Sequence, residues 1–233
     1  MRNIRDIQNA FYINLESRPD RRDNVEKEMF QLGIPVQRFG AIRLENGRIG
    51  CSLSHLKCLT IARDKQWSHV LIVEDDIHFT DPSKFQIQLN DFLSSKVEWD
   101  VVLFAGNNIP PYKHCSTHSI QVSCCQTTTG YMVKQHYYDI LIDNIRKGIS
   151  LLMKNPADHY YYAIDKYWFQ LQSRDKWFLI TPLTVIQKED YSDIEKRITN
   201  YSRLMLDIDK TELIKKKQQT IQWKKPIEEY ISL

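Results

Sequence analysis

Short apolar runs alternate along this chain with segments whose apolar residues recur every three or four positions. Phe11-Tyr12-Ile13-Asn14-Leu15 is rich in strand formers and predicts a first β-strand. Val25, Met29 and Leu32 follow at i, i+4 and i+7 and predict a helix. Its expected N-cap is Ser17, with Asp20 three residues on, Pro19 in the first turn and Gly33 at the end. Residues 36–41 read as a short second strand. After a loop at Asn46-Gly47, Gly50-Cys51-Ser52-Leu53-Ser54-His55 opens a helix, capped by Ser52 or Ser54 and striped by Leu56, Leu59 and Ala62. Val70-Leu71-Ile72-Val73 is continuously apolar, the mark of a strand buried on both faces, and runs into Glu74-Asp75-Asp76. Asp81-Pro82 starts a helix carrying Phe85, Leu89 and Phe92, and residues 99–106 form the next buried strand.

Strand and helix thus alternate through the front half, which argues for an α/β sheet with right-handed crossovers. In such sheets ligands bind beyond the carboxyl ends of the strands. Asn14, Arg18, Ser52 and the acidic triplet fall at that edge. The back half is less regular. Residues 110–123 read as a loop, and residues 127–133 as a strand kinked at Gly130, where a ligand could approach the backbone. Tyr138, Leu141, Ile142 and Ile145 predict a helix ending at Gly148. Asp158 is placed to cap a helix carrying Tyr160, Ile164, Tyr167, Trp168 and Leu171. Strand-like runs flank Pro182, and Ser192-Asp193-Ile194-Glu195 reads as a capping box starting a helix through Ile198, Tyr201 and Met205. Residues 207–233 are lysine-rich and predict a helical tail.

The chemistry concentrates at Glu74-Asp75-Asp76. Two like charges ~4 Å apart cost about 1 kcal/mol in water and several times that at a shielded site. A cation among them removes that cost; the other reading is a solvated acidic turn. Strand alternation places Glu74 and Asp76 on one side and Asp75 on the other, and oxygen ligands suit Mn²⁺ or Mg²⁺ better than zinc. Arg18, Arg21 and Arg22 share the first turn of their helix, where cations oppose the helix dipole unless an anion sits there. His55 is either a donor to a ligand or a packed, satisfied histidine. Asp165 stands one step off its helix stripe, near Tyr161, Tyr162, Trp168 and Phe169. A carboxylate there can take a proton from a sugar hydroxyl, or pair with Lys166 or Arg174 as an ordinary surface acid.

Composition narrows the setting. With 233 residues the chain forms one large domain or two small ones. A net charge of +3 gives no argument for nucleic acid. No apolar run approaches the ~20 residues that span a bilayer, and residues 1–6 lack the apolar core of a signal peptide. Five cysteines without metal-ligand spacing fit a reducing, cytoplasmic compartment. The tail reads as a solvated helix, with peripheral contact to an anionic membrane as the alternative.

The motifs form an ordered series over roughly residues 10–200. Tyr12-Ile13-Asn14-Leu15 with Arg18 and Asp20-Arg21-Arg22 comes first, then Gly50-Cys51-Ser52-Leu53-Ser54-His55 and Glu74-Asp75-Asp76. Thr129-Gly130-Tyr131, Ile164-Asp165, residues 182–187 and Ser192-Asp193-Ile194 complete it. In this order and spacing the chain resembles glycosyltransferase family 25, the group of bacterial lipooligosaccharide β-galactosyltransferases and collagen galactosyltransferases. The resemblance implies a GT-A type α/β fold, a Rossmann-like mixed sheet flanked by helices, as a single domain over residues 1–206. A nucleotide-sugar half at about 10–108, an acceptor half at about 109–206 and a basic helical tail at 207–233 go with it. It also implies a metal-dependent hexosyltransferase, moving galactose or glucose from a UDP-sugar to a glycan or protein hydroxyl with inversion.

On the same likeness Asp76 and Glu74 hold Mn²⁺ or Mg²⁺, and Glu74 or Asp75 meets the ribose or the metal's waters. Asn14, Arg18, Arg21, Ser52 and His55 serve the donor, and Asp165 is the base. Gly130, Tyr131, Trp168, Gln187, Ser192 and Asp193 serve the acceptor or the closing motif. Trp67-Ser68-His69 and Ile77-His78 match no family feature. Two other classes stay in view. One is a non-catalytic nucleotide-sugar-binding module, against which the intact acids argue. The other is a metal-dependent phosphohydrolase or nucleotidyltransferase, against which the missing glycine-rich phosphate loop argues.

Overall fold

The computed structural model describes residues 1–210, so residues 211–233 of the expected basic tail lie outside the described residues. β1 (Ala10–Asn14) and α1 (Pro19–Gln31) form where the apolar pattern places them. Pro19 takes the first helical position, where a missing N–H is harmless. The N-cap is Arg18 rather than Ser17, and no side chain caps this turn. At the far end Gly33 adopts φ +68°, and the N–H groups of Gly33 and Ile34 donate to the carbonyls of Phe30 and Met29. This left-handed closure is the one glycine makes without strain.

After β2 (Gln37–Gly40), α2 (Gly47–Asp64) begins earlier than the apolar pattern indicates. Asn46 is its cap, accepting from the N–H groups of Arg48 and Ile49. Ser52 and Ser54 lie inside the helix and bond back to the carbonyls of Arg48 and Gly50. Gly50 and Ser54, four residues apart, share the face crossed by residues 42–44. A Cβ on Gly50 would stand 2.4 Å from the Ile42 carbonyl oxygen. The Ile42 N–H donates to Ser54 Oγ at 2.9 Å. Glycine and serine there let the chain lie directly on the helix.

β3 (His69–Glu74), α3 (Pro82–Ser94) and β5 (Val101–Leu103) form where expected, with Asp81 capping α3 through the Lys84 N–H, and a short strand that the apolar pattern does not mark, β4 (Ile77–Phe79), lies between β3 and α3. Residues 110–123 are not a loop. Beyond the short β6 (Asn107–Asn108) they hold a hairpin of β7 (Tyr112–Ser116) and β8 (Ser119–Val122). Of its apolar residues Ile120 and Val122 are fully buried, an alternation too short to stand out in the sequence. β9 (Cys125–Gln126) pairs with β6 and leads to β10 (Gly130–Lys134). A Cβ on Gly130 would lie 2.9 Å from Ile77 Cδ1. That glycine therefore serves close packing under β4 rather than approach of a ligand.

α4 (Tyr138–Lys154) runs past Gly148, which lies beneath the Tyr167 ring. The single helix expected after Asp158 is instead three short turns, α5 (His159–Tyr162), α6 (Ile164–Tyr167) and α7 (Phe169–Gln172), and the Asp158 side chain caps none of them. β11 (Trp177–Ile180) and β12 (Val185–Gln187) flank Pro182. Ser192 Oγ does accept from the Glu195 N–H, yet no helix follows. The chain turns at Lys196, φ 56°, so that β13 (Asp190–Ser192) and β14 (Arg197–Thr199) form a hairpin before α8 (Ser202–Leu206).

These elements build an eight-stranded mixed sheet in the order β2-β1-β3-β10-β5-β11-β8-β7. β2, β1 and β3 are parallel, as are β5 and β11, and β10 runs antiparallel between β3 and β5. Helices cover both faces, which is the α/β sheet expected. Leu71 and Val73 of β3 join the core under α1 and α3, whereas Val70 and Ile72 join the core under α2 and α4. Two-sided burial explains the unbroken apolar run. Because β10 is antiparallel, its entry lies beside the exit of β3, and the Glu74 N–H donates to the Thr129 carbonyl. No helix of the described residues is long and apolar enough to cross a membrane.

Helix propensity alone favours alanine over glycine at position 50 by about 1 kcal/mol. The carbonyl contact reverses this: Gly50→Ala is expected to lose roughly 1–3 kcal/mol, the usual range for overpacking. Urea unfolding measures it, and a gain in stability would show that residues 42–44 do not press on α2.

Candidate active site

The apolar run of β3 stops at Glu74, and Asp75 and Asp76 lie in the turn to β4. Strand alternation therefore does not sort the three acids as expected. All three border one cavity of about 1100 Å³ at the carboxyl edge of β1 and β3. Arg18, Arg21, His55, Asp165, Gln187, Ser192 and Asp193 line it too.

Glu74 is the most fully partnered of the acids. Its Oε1 accepts from the Thr128 hydroxyl at 2.8 Å, lies 3.3 Å from His55 Nε2 and 3.7 Å from the Cys51 thiol, and its Oε2 accepts from Gln187 Nε2 at 3.3 Å. His55 Nδ1 is 3.0 Å from the Tyr131 hydroxyl. Every group finds a partner if Tyr131 donates to Nδ1 and Nε2–H donates to Glu74. Burial pushes the Glu74 carboxyl upward, but His55, Thr128 and Arg21 outweigh it and hold the carboxyl below its ordinary range. Asp75 is held by Asn14 Nδ2 at 2.8 Å and by the Arg21 guanidinium at 3.0 Å; burial still leaves its carboxyl raised.

Asp76 is different. Its Oδ1 is buried with no hydrogen-bond partner among the described residues, and its Oδ2 lies 3.6 Å from Arg21. Burial and the neighbouring Glu74 push its carboxyl up to about 8, against the pull of Arg21. Across the cavity wall, Asp165 in the first turn of α6 accepts from the Thr127 N–H at 3.2 Å, and burial raises its carboxyl as well. It is paired with neither Lys166 nor Arg174; Arg174 bonds to Asp175.

The arginines of α1 are already engaged. Arg18 bonds to Asp20, Asp190, Asp193 and the Tyr191 carbonyl. Arg21 bonds to Asp75, Asp190 and the same carbonyl. Arg22 turns away to Glu26 at 3.1 Å. Although burial pushes Asp190 upward, Arg21, the Tyr191 N–H and Arg18 bring it down to about 2. On the opposite flank Arg48 pairs with Glu195 at 2.6 Å. These ion pairs seat the β13–β14 hairpin on the N-terminal turns of α1 and α2.

Several expected residues lie behind the wall rather than on it. Asn14 is buried and supports Asp75 and the Arg18 carbonyl. Ser52, Gly130, Tyr131 and Trp168 do not border the cavity. Ser52 bonds within its helix, Gly130 packs under Ile77, and Tyr131 orients His55. Trp168 is fully buried between Tyr131 and Trp177 and donates to the Cys125 carbonyl at 3.0 Å. Thr127, Thr128, Asn107 and Gln126 border the cavity and were not anticipated. The run of three threonines before Gly130 was the available signal, and antiparallel β10 is what carries it to Glu74.

Two sets of side chains could hold a cation. Cys51, His55 and Glu74 each offer a ligand atom within 4.8 Å of the others, a sulfur–nitrogen–oxygen set of zinc type. His55 and Glu74 are satisfied without an ion, however, and burial and Glu74 keep the Cys51 thiol protonated. Asp76 fits a hard cation better, since its orphaned oxygen and raised proton affinity are what an added positive charge would correct. The sign of the pH effect follows. Asp76 titrates near its ordinary 3.8 when unfolded and near 8 when folded, so the folded state binds the extra proton between those values. Stability contributed by this group is lost as pH rises through that window. In EDTA, Asp76→Asn should raise the thermal midpoint by several degrees near pH 8.5, with the gap narrowing toward pH 4. A gap that is constant with pH would contradict the assignment.

Comparison with known proteins gives a consistent picture. Residues 43–161 match the family described as glycosyltransferase family 25 (LPS biosynthesis protein). A "Glycosyltransferase 25 family member" of Drosophila melanogaster is 23% identical over 186 residues, covering 65% of this chain and 29% of that protein. "Procollagen galactosyltransferase 2" of Mus musculus is 24% identical over 122 residues, covering 40% of this chain and 20% of that one. The chain therefore spans less than a third of the length of either relative. Among solved structures, a Drosophila β-galactosyltransferase crystallised with manganese, UDP-Gal and xylobiose is similar at a TM-score of 0.41, with 9% identity, covering 83% of this chain and 75% of that one. A likeness of that size carries no argument about chemistry.

Proposed function

Because the chain belongs to glycosyltransferase family 25, we propose that it transfers a hexose, galactose or glucose, from a UDP-sugar to a hydroxyl of a glycan or protein acceptor, with inversion at the anomeric carbon. One observation carries this reading: Asp76, with its buried oxygen unpartnered among the described residues, and Asp165, a half-buried acid whose carboxyl is raised, border the same cavity. Galactose is favoured by the procollagen galactosyltransferase relative. The donor is assigned to the half at residues 10–108 and the acceptor to the half at 109–206.

Asp76 would hold a divalent cation such as Mn²⁺, with Glu74 Oε2, which accepts from Gln187, as the second oxygen. Such a cation, when bound, offsets the negative charge that gathers on the departing diphosphate. The remaining work falls to the chain itself. Asp165 takes the proton of the acceptor hydroxyl as that oxygen forms its bond to the anomeric carbon. The bond from that carbon to the diphosphate breaks on the opposite face, and its electron pair leaves with UDP. Burial raises Asp165, which makes it a stronger base than a surface carboxylate. The base must be ionised, so the rate falls as pH drops through its raised pKa. Asn14, Arg21 and the Glu74 network keep the neighbouring acids in fixed positions.

Incubation with UDP-galactose or UDP-glucose and Mn²⁺, following UDP and inorganic phosphate, tests the reading. UDP release that rises with added acceptor is expected, whereas phosphate release alone would point to a phosphohydrolase. Asp165→Asn should lower transfer by at least about a hundredfold, the lower end of what a general base supplies. Its UDP affinity should stay within about threefold of wild type, because the base meets the acceptor and not the nucleotide. Unchanged transfer would remove Asp165 from the mechanism.

A further inference from the structure

Asn107 and Gln126 border the cavity and take no part in the mechanism above. They face each other across the two-stranded β6–β9 ladder, with Asn107 Nδ2 3.5 Å from Gln126 Oε1, the outer limit of a hydrogen bond. Asn107 Oδ1 is buried with no hydrogen-bond partner among the described residues. We propose that this amide pair holds the acceptor hydroxyl next to the one that reacts, so that the acceptor is a saccharide. The proposal rests on the transferase reading above and chooses between the glycan and protein acceptors which that reading leaves open.

The ladder keeps the two amides in fixed positions. Gly106 allows the close approach of its strands, since a Cβ there would stand 2.2 Å from Cys125 Sγ. The Cys125 N–H donates to Gln172 Oε1 at 2.7 Å, and the Cys125 carbonyl accepts from Gln172 Nε2 at 2.9 Å and from Trp168 Nε1 at 3.0 Å. The Ile109 N–H donates to the Cys124 carbonyl at 2.8 Å. Just past Gln126 the chain turns through Thr127 at φ 79°, a conformation rare for a β-branched residue. In it the Thr127 N–H meets Asp165 Oδ2 at 3.2 Å, and Thr127 Oγ1 accepts from the Thr129 hydroxyl at 3.2 Å. Thr128 then donates to Glu74 at 2.8 Å. Three consecutive residues thus link the amide pair to the acid assigned the acceptor's proton and to the acid beside the cation. Strained backbone of this kind gathers where a site has to hold its geometry.

The chemistry of the pair selects the ligand class. Asn107 Oδ1 calls for a donor, and Gln126 brings N–H donors of its own. A hydroxyl both donates and accepts, so it answers both groups. The ammonium of an amino-acid acceptor only donates and leaves the Gln126 N–H groups unanswered. Charge does not decide between them. Asp165 attracts an ammonium, while Lys166, the next residue of α6, also borders the cavity and repels it. A buried acceptor without a donor lowers stability, so the Asn107 oxygen is a cost to the fold that a bound hydroxyl removes.

Saturation-transfer NMR of the full chain with UDP tests this, using methyl glycosides of galactose, glucose and N-acetylglucosamine as probes. Hydroxylysine, which carries a hydroxyl and an ammonium, is the competing probe. The variants are Asn107→Ala, Gln126→Met and Gln170→Ala. Gln170 is exposed on α7 and does not border the cavity, so it controls for loss of an amide. At least one glycoside should bind, and Asn107→Ala and Gln126→Met should each weaken it by at least about fivefold, the loss of one neutral hydrogen bond. Thermal midpoint and UDP affinity should not fall, and Gln170→Ala should bind like wild type. In transfer from UDP-galactose to that glycoside, KM should rise by the same factor with kcat within about threefold. Absence of glycoside binding, tighter binding of hydroxylysine, wild-type binding in either cavity variant or an equal loss in Gln170→Ala would each overturn the subsite. A lowered midpoint in Asn107→Ala would make that residue structural and overturn it as well. Glycoside binding that depends on both amides, in a chain that neither binds nor turns over a UDP-sugar, would keep the subsite and refute the transferase reading.

Discussion

Three carboxylates follow a strand that is buried on both faces, and the rest of this molecule is arranged around that crowding. β3 cannot shift to relieve it, since slipping by one residue would exchange the side chains facing its two cores. Relief comes from outside the strand. Glu74 is satisfied by His55 from α2, Thr128 from the approach to β10 and Gln187 from β12. Asp75 is satisfied by Asn14 from β1 and Arg21 from α1. Asp76 is left with a buried oxygen that has no donor among the described residues. The same order of events that leaves one acid open is what gives the cavity a place for a cation.

The ion pairs of α1 have a second consequence. By engaging Arg18 and Arg21, the β13–β14 hairpin draws the C-terminal part of the described chain onto the first helix and closes one side of the cavity. Arg48 and Glu195 repeat the arrangement on α2. Helix N-termini that would otherwise favour an external anion are served by the chain's own acids.

Much of this was legible in the residues, and what was not has physical causes. The unbroken apolar run of β3 reported two-sided burial, and the i, i+4, i+7 stripe of α1 reported its inward face. The sequence also pointed to Asp165 and to Arg18 and Arg21 as cavity residues. It did not show that β10 enters antiparallel, because strand direction is a matter of topology and not of local pattern. Thr128 was missed for that reason. Ser192-Asp193-Ile194-Glu195 has the composition of a helix start and makes one of its hydrogen bonds, but pairing of Asp190–Ser192 with Arg197–Thr199 and the ion pairs to Arg18 and Arg48 override local propensity. Tyr131 and Trp168 carry the polar tips expected of a binding site, yet both tips are used inside the core. Aromatic residues with a polar handle look alike in sequence whether they face a ligand or a buried carbonyl.

What remains is the division of labour between the two open acids, Asp76 for a cation and Asp165 for a proton. Titration of Mn²⁺ in the presence of UDP, followed by the electron paramagnetic resonance of the free ion, separates them directly. The account predicts that wild-type chain and Asp165→Asn bind Mn²⁺ equally well, while Asp76→Asn binds it at least tenfold more weakly. Wild-type Mn²⁺ binding in Asp76→Asn, or an equal loss in Asp165→Asn, would contradict it.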